Sequence, residues 1–95
     1  MTAAESDCRA ILQIQNRLGL HARAAVLLVQ TASRFDAEVM VSKDGQTVSG
    51  RSIMGVMTLA ATQGSSIEVV TRGPQAAEAL DAIRELVAAR FNEPD

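Results

Sequence analysis

His21 is the single histidine of the chain, and Arg23 follows it two positions later. Leu18-Gly19-Leu20 precedes it, and an apolar helical pattern begins directly after it, so His21 stands where a glycine turn enters a helix. A helix N-terminus presents unpaired backbone N–H groups and about half a positive charge, which makes it a ready site for an anion. A guanidinium beside it completes such a cradle, because its planar fork matches phosphate oxygens. An ordinary imidazole, with a pKa of about 6.5, is substantially neutral near pH 7 and keeps one nitrogen lone pair for attack on phosphorus. The chemistry these residues suggest is acceptance of a phosphoryl group. Standing alone, a histidine at this position serves as readily as a turn or helix-capping residue.

Ser52 is the second residue of interest. It precedes a short helical pattern, where a serine oxygen accepting a backbone N–H contributes about 1 kcal/mol. A phosphate on the same oxygen adds roughly −1.5 to −2 charge, which a helix N-terminus tolerates. Just beyond it, Ile53, Met54 and Met57 have the spacing of a helical face. Apolar residues so spaced ordinarily belong to a core. Here Val56 and Leu59 can supply the inward side, leaving Ile53, Met54 and Met57 beside Leu20 as an exposed patch of the kind that marks protein contacts.

The elements that hold these residues are readable from periodicity. Ala10, Leu12 and Ile14 alternate with Ile11, Gln13 and Gln15 as in a half-buried strand. From Ala22 onward, Ala25, Leu28, Val29 and Ala32 recur on one helical face. Ala37, Val39 and Val41 alternate in a second strand, Asp44-Gly45 supplies the positive φ angles of a tight hairpin, and Gln46 to Gly50 returns as a third strand paired with the second. Ser52 to Ala60 is weakly helical, Gly64 punctuates it, and Ile67, Val69 and Thr71 mark a fourth strand. Gly73-Pro74 opens a last helix, with proline at its first position and Ala76, Leu80, Ile83 and Val87 as its buried stripe. The order strand, helix, strand, strand, short helix, strand, helix predicts a two-layer α+β sandwich in which helices cover one sheet face. Periodicity suits a ferredoxin-like domain equally well.

Two stretches go further. Leu18-Gly19-Leu20-His21-Ala22-Arg23-Ala24-Ala25 resembles the active-site signature of the HPr family, the histidine-containing phosphocarriers of the phosphoenolpyruvate-dependent sugar phosphotransferase system. Arg51-Ser52-Ile53-Met54-Gly55-Val56-Met57 is similar to the segment around that family's regulatory serine, at an interval from His21 that needs no gap. The resemblance runs from about Ala10 to Phe91. It implies an open-faced β-sandwich, a four-stranded antiparallel sheet with two long helices and one short helix on one face. It also implies phosphorylation of His21 on Nδ1, with Arg23 assisting and the backbone N–H groups of Ala22 and Arg23 cradling the phosphate. Enzyme I is then the donor, EIIA domains are the acceptors, and HPr kinase/phosphorylase is the modifier of Ser52. Leu20, Ile53, Met54 and Met57 would form the docking surface. Where the family usually has proline after the active-site arginine, this chain has Ala24, which leaves the first helical turn freer.

Composition agrees and excludes other classes. A chain of 95 residues, 47% hydrophobic and 21% charged, predicts one folded domain spanning residues 1–95, with a core at about 10–91 and short polar tails. A net charge of −2 and a pI near 5.3 provide no field for nucleic acid, and Phe35 and Phe91 offer no stacking residues in a strand. The longest wholly apolar run, Ala24 to Val29, is far shorter than the roughly 18 residues of a membrane span. One cysteine, Cys8, forms no internal disulfide and predicts a reducing cytoplasm. The expectation is a cytoplasmic monomer that needs no cofactor or metal and carries a phosphoryl group rather than turning over a small substrate as an enzyme. The reading from another class is a regulatory HPr-like binding protein, in a nitrogen-type branch or as a phosphoserine-dependent partner of a transcription factor.

Overall fold

The computed structural model describes residues 7–93. Its elements are β1 (Asp7–Gln13), α1 (Ala22–Ser33), β2 (Glu38–Lys43), β3 (Gln46–Ser49), α2 (Ile53–Thr58), β4 (Ser66–Arg72) and α3 (Ala76–Ala88). The four strands form one antiparallel sheet in the order β1-β4-β2-β3. β4 therefore lies between β1 and β2, and β1 is an edge. No helix among the described residues is long and apolar enough to cross a membrane.

Alternation along the strands decides which side is covered. Leu12, Val39, Val41, Ile67 and Val69 are buried under the helices, together with Ile14 just beyond β1. Residues of opposite parity face out: Ile11 is 66% exposed, Arg9 pairs with Glu68 at 3.4 Å, and Arg72 binds Asp7 across β1 and β4 at 2.8 and 3.1 Å. Those hydrogen bonds from Arg72 hold the Asp7 carboxyl below its ordinary range. Thr71 falls on the buried side, and its hydroxyl is satisfied by donating to the carbonyl of Ala76 at 2.7 Å. At the hairpin, Asp44 and Gly45 have φ of 50° and 83°, the paired positive angles of a type I′ turn.

α1 buries Ala24, Ala25, Leu28 and Ala32 and packs beside α3, which buries Ala76, Ala79, Leu80, Ile83 and Val87. Val29, expected on the buried face, is only half-buried, and Ala24 is buried in addition to the expected residues. Two element starts differ by more than one residue from expectation. β1 begins at Asp7, since Cys8 and Ala10 continue the inward register toward the terminus and pair with Thr71 and Val69. The remainder of the expected N-terminal tail, residues 1–6, and the last two positions lie outside the described residues. The last helix starts two residues later than expected. Pro74 sits in the turn, Gln75 is the N-cap, and the Gln75 side chain accepts the Asp36 N–H at 2.7 Å while its own N–H reaches the Asp36 carbonyl at 3.0 Å. That anchoring to the β2 entrance sets the helix start in place of the proline.

The segment before His21 needs a glycine. Gly19 has φ +65°, and a Cβ there would lie 2.3 Å from the Ala61 carbonyl oxygen, the same oxygen that accepts the Leu20 N–H at 2.9 Å. Gly19→Ala is therefore expected to cost more than about 2 kcal/mol, through a strained backbone and a backbone clash together. Urea denaturation reads this directly; an unchanged midpoint would show that the loop has room to move.

Candidate functional site

α1 begins at His21. This residue is the N-cap, with extended backbone (φ −74°, ψ −179°), and its carbonyl accepts the first helical bond from the Ala25 N–H at 2.9 Å. The N–H groups of Ala22, Arg23 and Ala24 precede that bond and have no carbonyl behind them within the helix. His21 makes no side-chain cap, so its imidazole does not compete for these donors. Alanine at position 24 keeps an N–H that a proline would lack, adding a donor to the first turn. Arg23 is exposed beside it.

The imidazole is about one quarter exposed, at 28%, and its Nε2 lies 2.5 Å from Oε2 of Glu93. The same carboxylate oxygen accepts from Nδ2 of Asn16 at 3.0 Å, and that amide also donates to the Gly19 carbonyl at 2.8 Å. Asn16 is fully buried, and its Oδ1 has no partner among the described residues. The hydrogen bond from His21, reinforced by Asn16 and by the positive charge of Arg23, holds Glu93 below the usual carboxylate range despite its burial. An ionised carboxylate only accepts, so Nε2 carries the proton, and in the neutral ring the free lone pair is on Nδ1.

Ser52 is the N-cap of α2, and its Oγ accepts the Gly55 N–H at 2.9 Å. Gly55 has little room for anything larger: a Cβ there would come within 3.1 Å of that oxygen. Val56 in α2 and Leu59 at its C-cap turn inward, while Ile53, Met54 and Met57 are exposed, Met54 by 74%. Leu20 does not join them. It is 4% exposed, because the positive φ of Gly19 turns the chain so that Leu20 enters the core and Leu18, 64% exposed, faces out. The apolar patch expected around Leu20 thus consists of Ile53, Met54 and Met57 without it.

A model of the family described as "PTS HPr component phosphorylation site" matches residues 9–89, a span that includes both His21 and Ser52. The chain belongs to the HPr family. It is 48% identical over 82 residues to the phosphocarrier protein HPr of Treponema pallidum, covering 86% of this chain and 93% of that one. The crystal structure of HPr from Thermoanaerobacter tengcongensis superposes with a TM-score of 0.89 at 39% identity, over 93% of this chain and 99% of that one. The HPr-like protein Crh of Halalkalibacterium halodurans is 43% identical over 72 residues, covering 76% of this chain and 86% of that one. With this sheet order and these neighbours, the fold is the HPr open-faced sandwich and not the ferredoxin-like alternative.

Two residues of this candidate site escaped the sequence reading. Asn16 had a signal: it extends the inward parity of Leu12 and Ile14, so a polar side chain at that position announces a buried hydrogen-bonding role. Glu93 had none, because it lies 72 positions from His21 and no local pattern marks it.

The capping role of Ser52 is directly testable. Ser52→Ala is expected to lower stability by about 1 kcal/mol, or about 4–8 °C in Tm for a domain of this size, whereas Ser52→Asp retains an acceptor oxygen and most of the stability. Equal melting of Ser52→Ala and the wild type would show that this bond does not hold the start of α2.

Proposed function

We propose that this HPr-family protein takes a phosphoryl group from phospho-Enzyme I onto Nδ1 of His21 and passes it to an EIIA-type protein. The observation that carries the reading is the position of His21: its backbone caps α1, its imidazole leaves the helix's first N–H groups unused, and its Nε2 faces the Glu93 carboxylate, so that Nδ1 keeps the lone pair. In the transfer, that lone pair forms a bond to phosphorus while the donor's N–P bond breaks and its electron pair stays on the donor nitrogen. The N–H groups of Ala22 and Arg23 and the guanidinium of Arg23 hold the phosphoryl oxygens as charge shifts onto them. Onward transfer is the same displacement in reverse, with the acceptor supplying the nucleophile. The protein is a covalent intermediate between two other active sites, needs no cofactor of its own, and works in the cytoplasm.

Ile53, Met54 and Met57 form the surface on which donor and acceptors dock, since adaptable methionines suit a protein that meets several partners. Phosphorylation of Ser52 by HPr kinase/phosphorylase places a dianion beside that surface and slows transfer to His21 by repelling an acidic donor site. A regulatory reading, binding of another protein through α2 when Ser52 is phosphorylated, is supported by the similarity to Crh, the catabolite repression HPr of Bacillus subtilis. His21 and Arg23 weigh toward phosphotransfer, which can coexist with it.

The deciding experiment incubates the protein with phosphoenolpyruvate, Mg²⁺ and its cognate Enzyme I and measures intact mass. One acid-labile phosphoryl adduct is expected. No adduct would remove the carrier reading and leave the regulatory one.

A further inference from the structure

The chain leaves α3 by an unusual path. Arg90, Phe91 and Asn92 have φ of 57°, 54° and 60°, three successive non-glycine residues in the left-handed region. Such residues cost about 1–2 kcal/mol each relative to right-handed backbone. The turn persists because Phe91 is wholly buried in the core and because the Asn92 and Glu93 N–H groups bond back to Ala89 and Arg90 at 3.0 and 3.1 Å. Its result is a reversal of the chain that carries Glu93 across the domain to His21 and Asn16. Asn16 is an independent part of the same device: fully buried, it holds both the Gly19 carbonyl of the loop before His21 and the Glu93 carboxylate.

We propose that Glu93, oriented by Asn16, is a positioning residue for phosphoryl acceptance, fixing the His21 tautomer and compensating the charge that the ring acquires. The inference rests on His21 being the acceptor. When Nδ1 bonds phosphorus, the Nε2–H proton does not leave, so the ring becomes an imidazolium bearing the phosphoryl group. The electron pair released from the donor's N–P bond returns to the donor nitrogen, and no proton is exchanged with water. The positive charge that appears on the ring faces the Glu93 carboxylate across a hydrogen bond already in place, the arrangement by which a buried aspartate supports a catalytic histidine. Arg23 is the other charged group acting on Glu93, and it favours the ionised carboxylate. The strained turn is the means of delivering a carboxylate to the ring edge opposite the reacting nitrogen.

Glu93→Gln tests this, because it keeps the shape and removes the charge. By analogy with the partners that orient metal-ligating histidines, which are worth about 10–100-fold, the initial rate of phosphorylation by phospho-Enzyme I is expected to fall by about tenfold or more. Imidazole ¹⁵N shifts supply a readout that a purely structural role would not move: the wild type shows the Nε2–H form, and the variant a mixture with the Nδ1–H form. Glu93→Ala, with melting followed in parallel, should reproduce both changes while Phe91 keeps the turn folded. A wild-type rate and an unchanged tautomer in both variants would overturn the positioning role and leave the acceptor reading standing. A wild-type protein that itself takes no phosphoryl group from its cognate Enzyme I would overturn the acceptor reading, and this role with it.

Discussion

His21→Ala is expected to give a folded protein that accepts no phosphoryl group at all. The variant loses the only imidazole of the chain, and nothing near the start of α1 can replace a nitrogen lone pair with the same affinity for phosphorus. Ala22, Arg23 and Ala24 still offer their N–H groups, yet these hold a phosphoryl group only while something binds it covalently. The effect is therefore loss of the adduct, not a graded fall in rate. The fold persists because the extended backbone of His21, not its side chain, forms the cap, while loss of the hydrogen bond to the buried Glu93 carboxylate lowers stability. Intact mass before and after mild acid separates the outcomes. An acid-labile adduct on His21→Ala would place the chemistry on another residue, and an acid-stable one would direct attention to Ser52.

Phe91→Ala is expected to be the most destabilising single truncation. Phe91 lies just beyond the end of α3, is wholly buried in the core, and is the largest such side chain among the described residues. Removing a buried phenyl ring costs about 3–5 kcal/mol in transfer and cavity terms. Against a total stability of about 5–15 kcal/mol for a domain, this is a large fraction. At an m-value of about 1–1.5 kcal/mol/M it corresponds to a fall of about 2–5 M in the urea midpoint. Ile11→Ala, on the open face of the sheet and 66% exposed, is the matched control and should stay within about 0.5 kcal/mol. Similar losses for the two variants would mean that the ring does not anchor the C-terminal turn. The same variant bears on the site, since freeing residues 90–93 releases Glu93 from His21 and slows phosphorylation even where the protein remains folded.

Acid should also act on this contact. Glu93 is held below its ordinary range in the folded protein, so the stability that the contact contributes is present above the unfolded-state pKa and is lost as pH falls through the lower folded value. The contact with His21 therefore remains intact throughout the neutral range.

Much of the molecule could be read without coordinates. The parity of Leu12, Val39, Val41, Ile67 and Val69 identified both the strands and their covered face, because a pleated strand has a period of two and a half-covered sheet must alternate. Asp44-Gly45 located the hairpin, since few dipeptides accept two positive φ angles in succession. The run from Leu18 to Ala25 placed His21 at a helix start and carried the family resemblance. These features are local: each depends on residues within one turn or one strand of each other.

What the tertiary structure alone decided is of another kind. The insertion of β4 between β1 and β2 follows from packing the whole sheet under α1 and α3, and periodicity is silent about neighbours. The burial of Leu20 in place of Leu18 depends on how Gly19 meets the Ala61 carbonyl, a contact across more than forty residues. The helix start at Ala76, behind the N-cap Gln75 and not at Pro74, depends on Asp36. Glu93 reaches His21 because a buried phenylalanine stabilises a left-handed turn that local propensity opposes. Local patterns report the conformations a segment prefers, whereas the meeting of distant side chains is set by the packing energy of the whole domain, and that energy can override the preference.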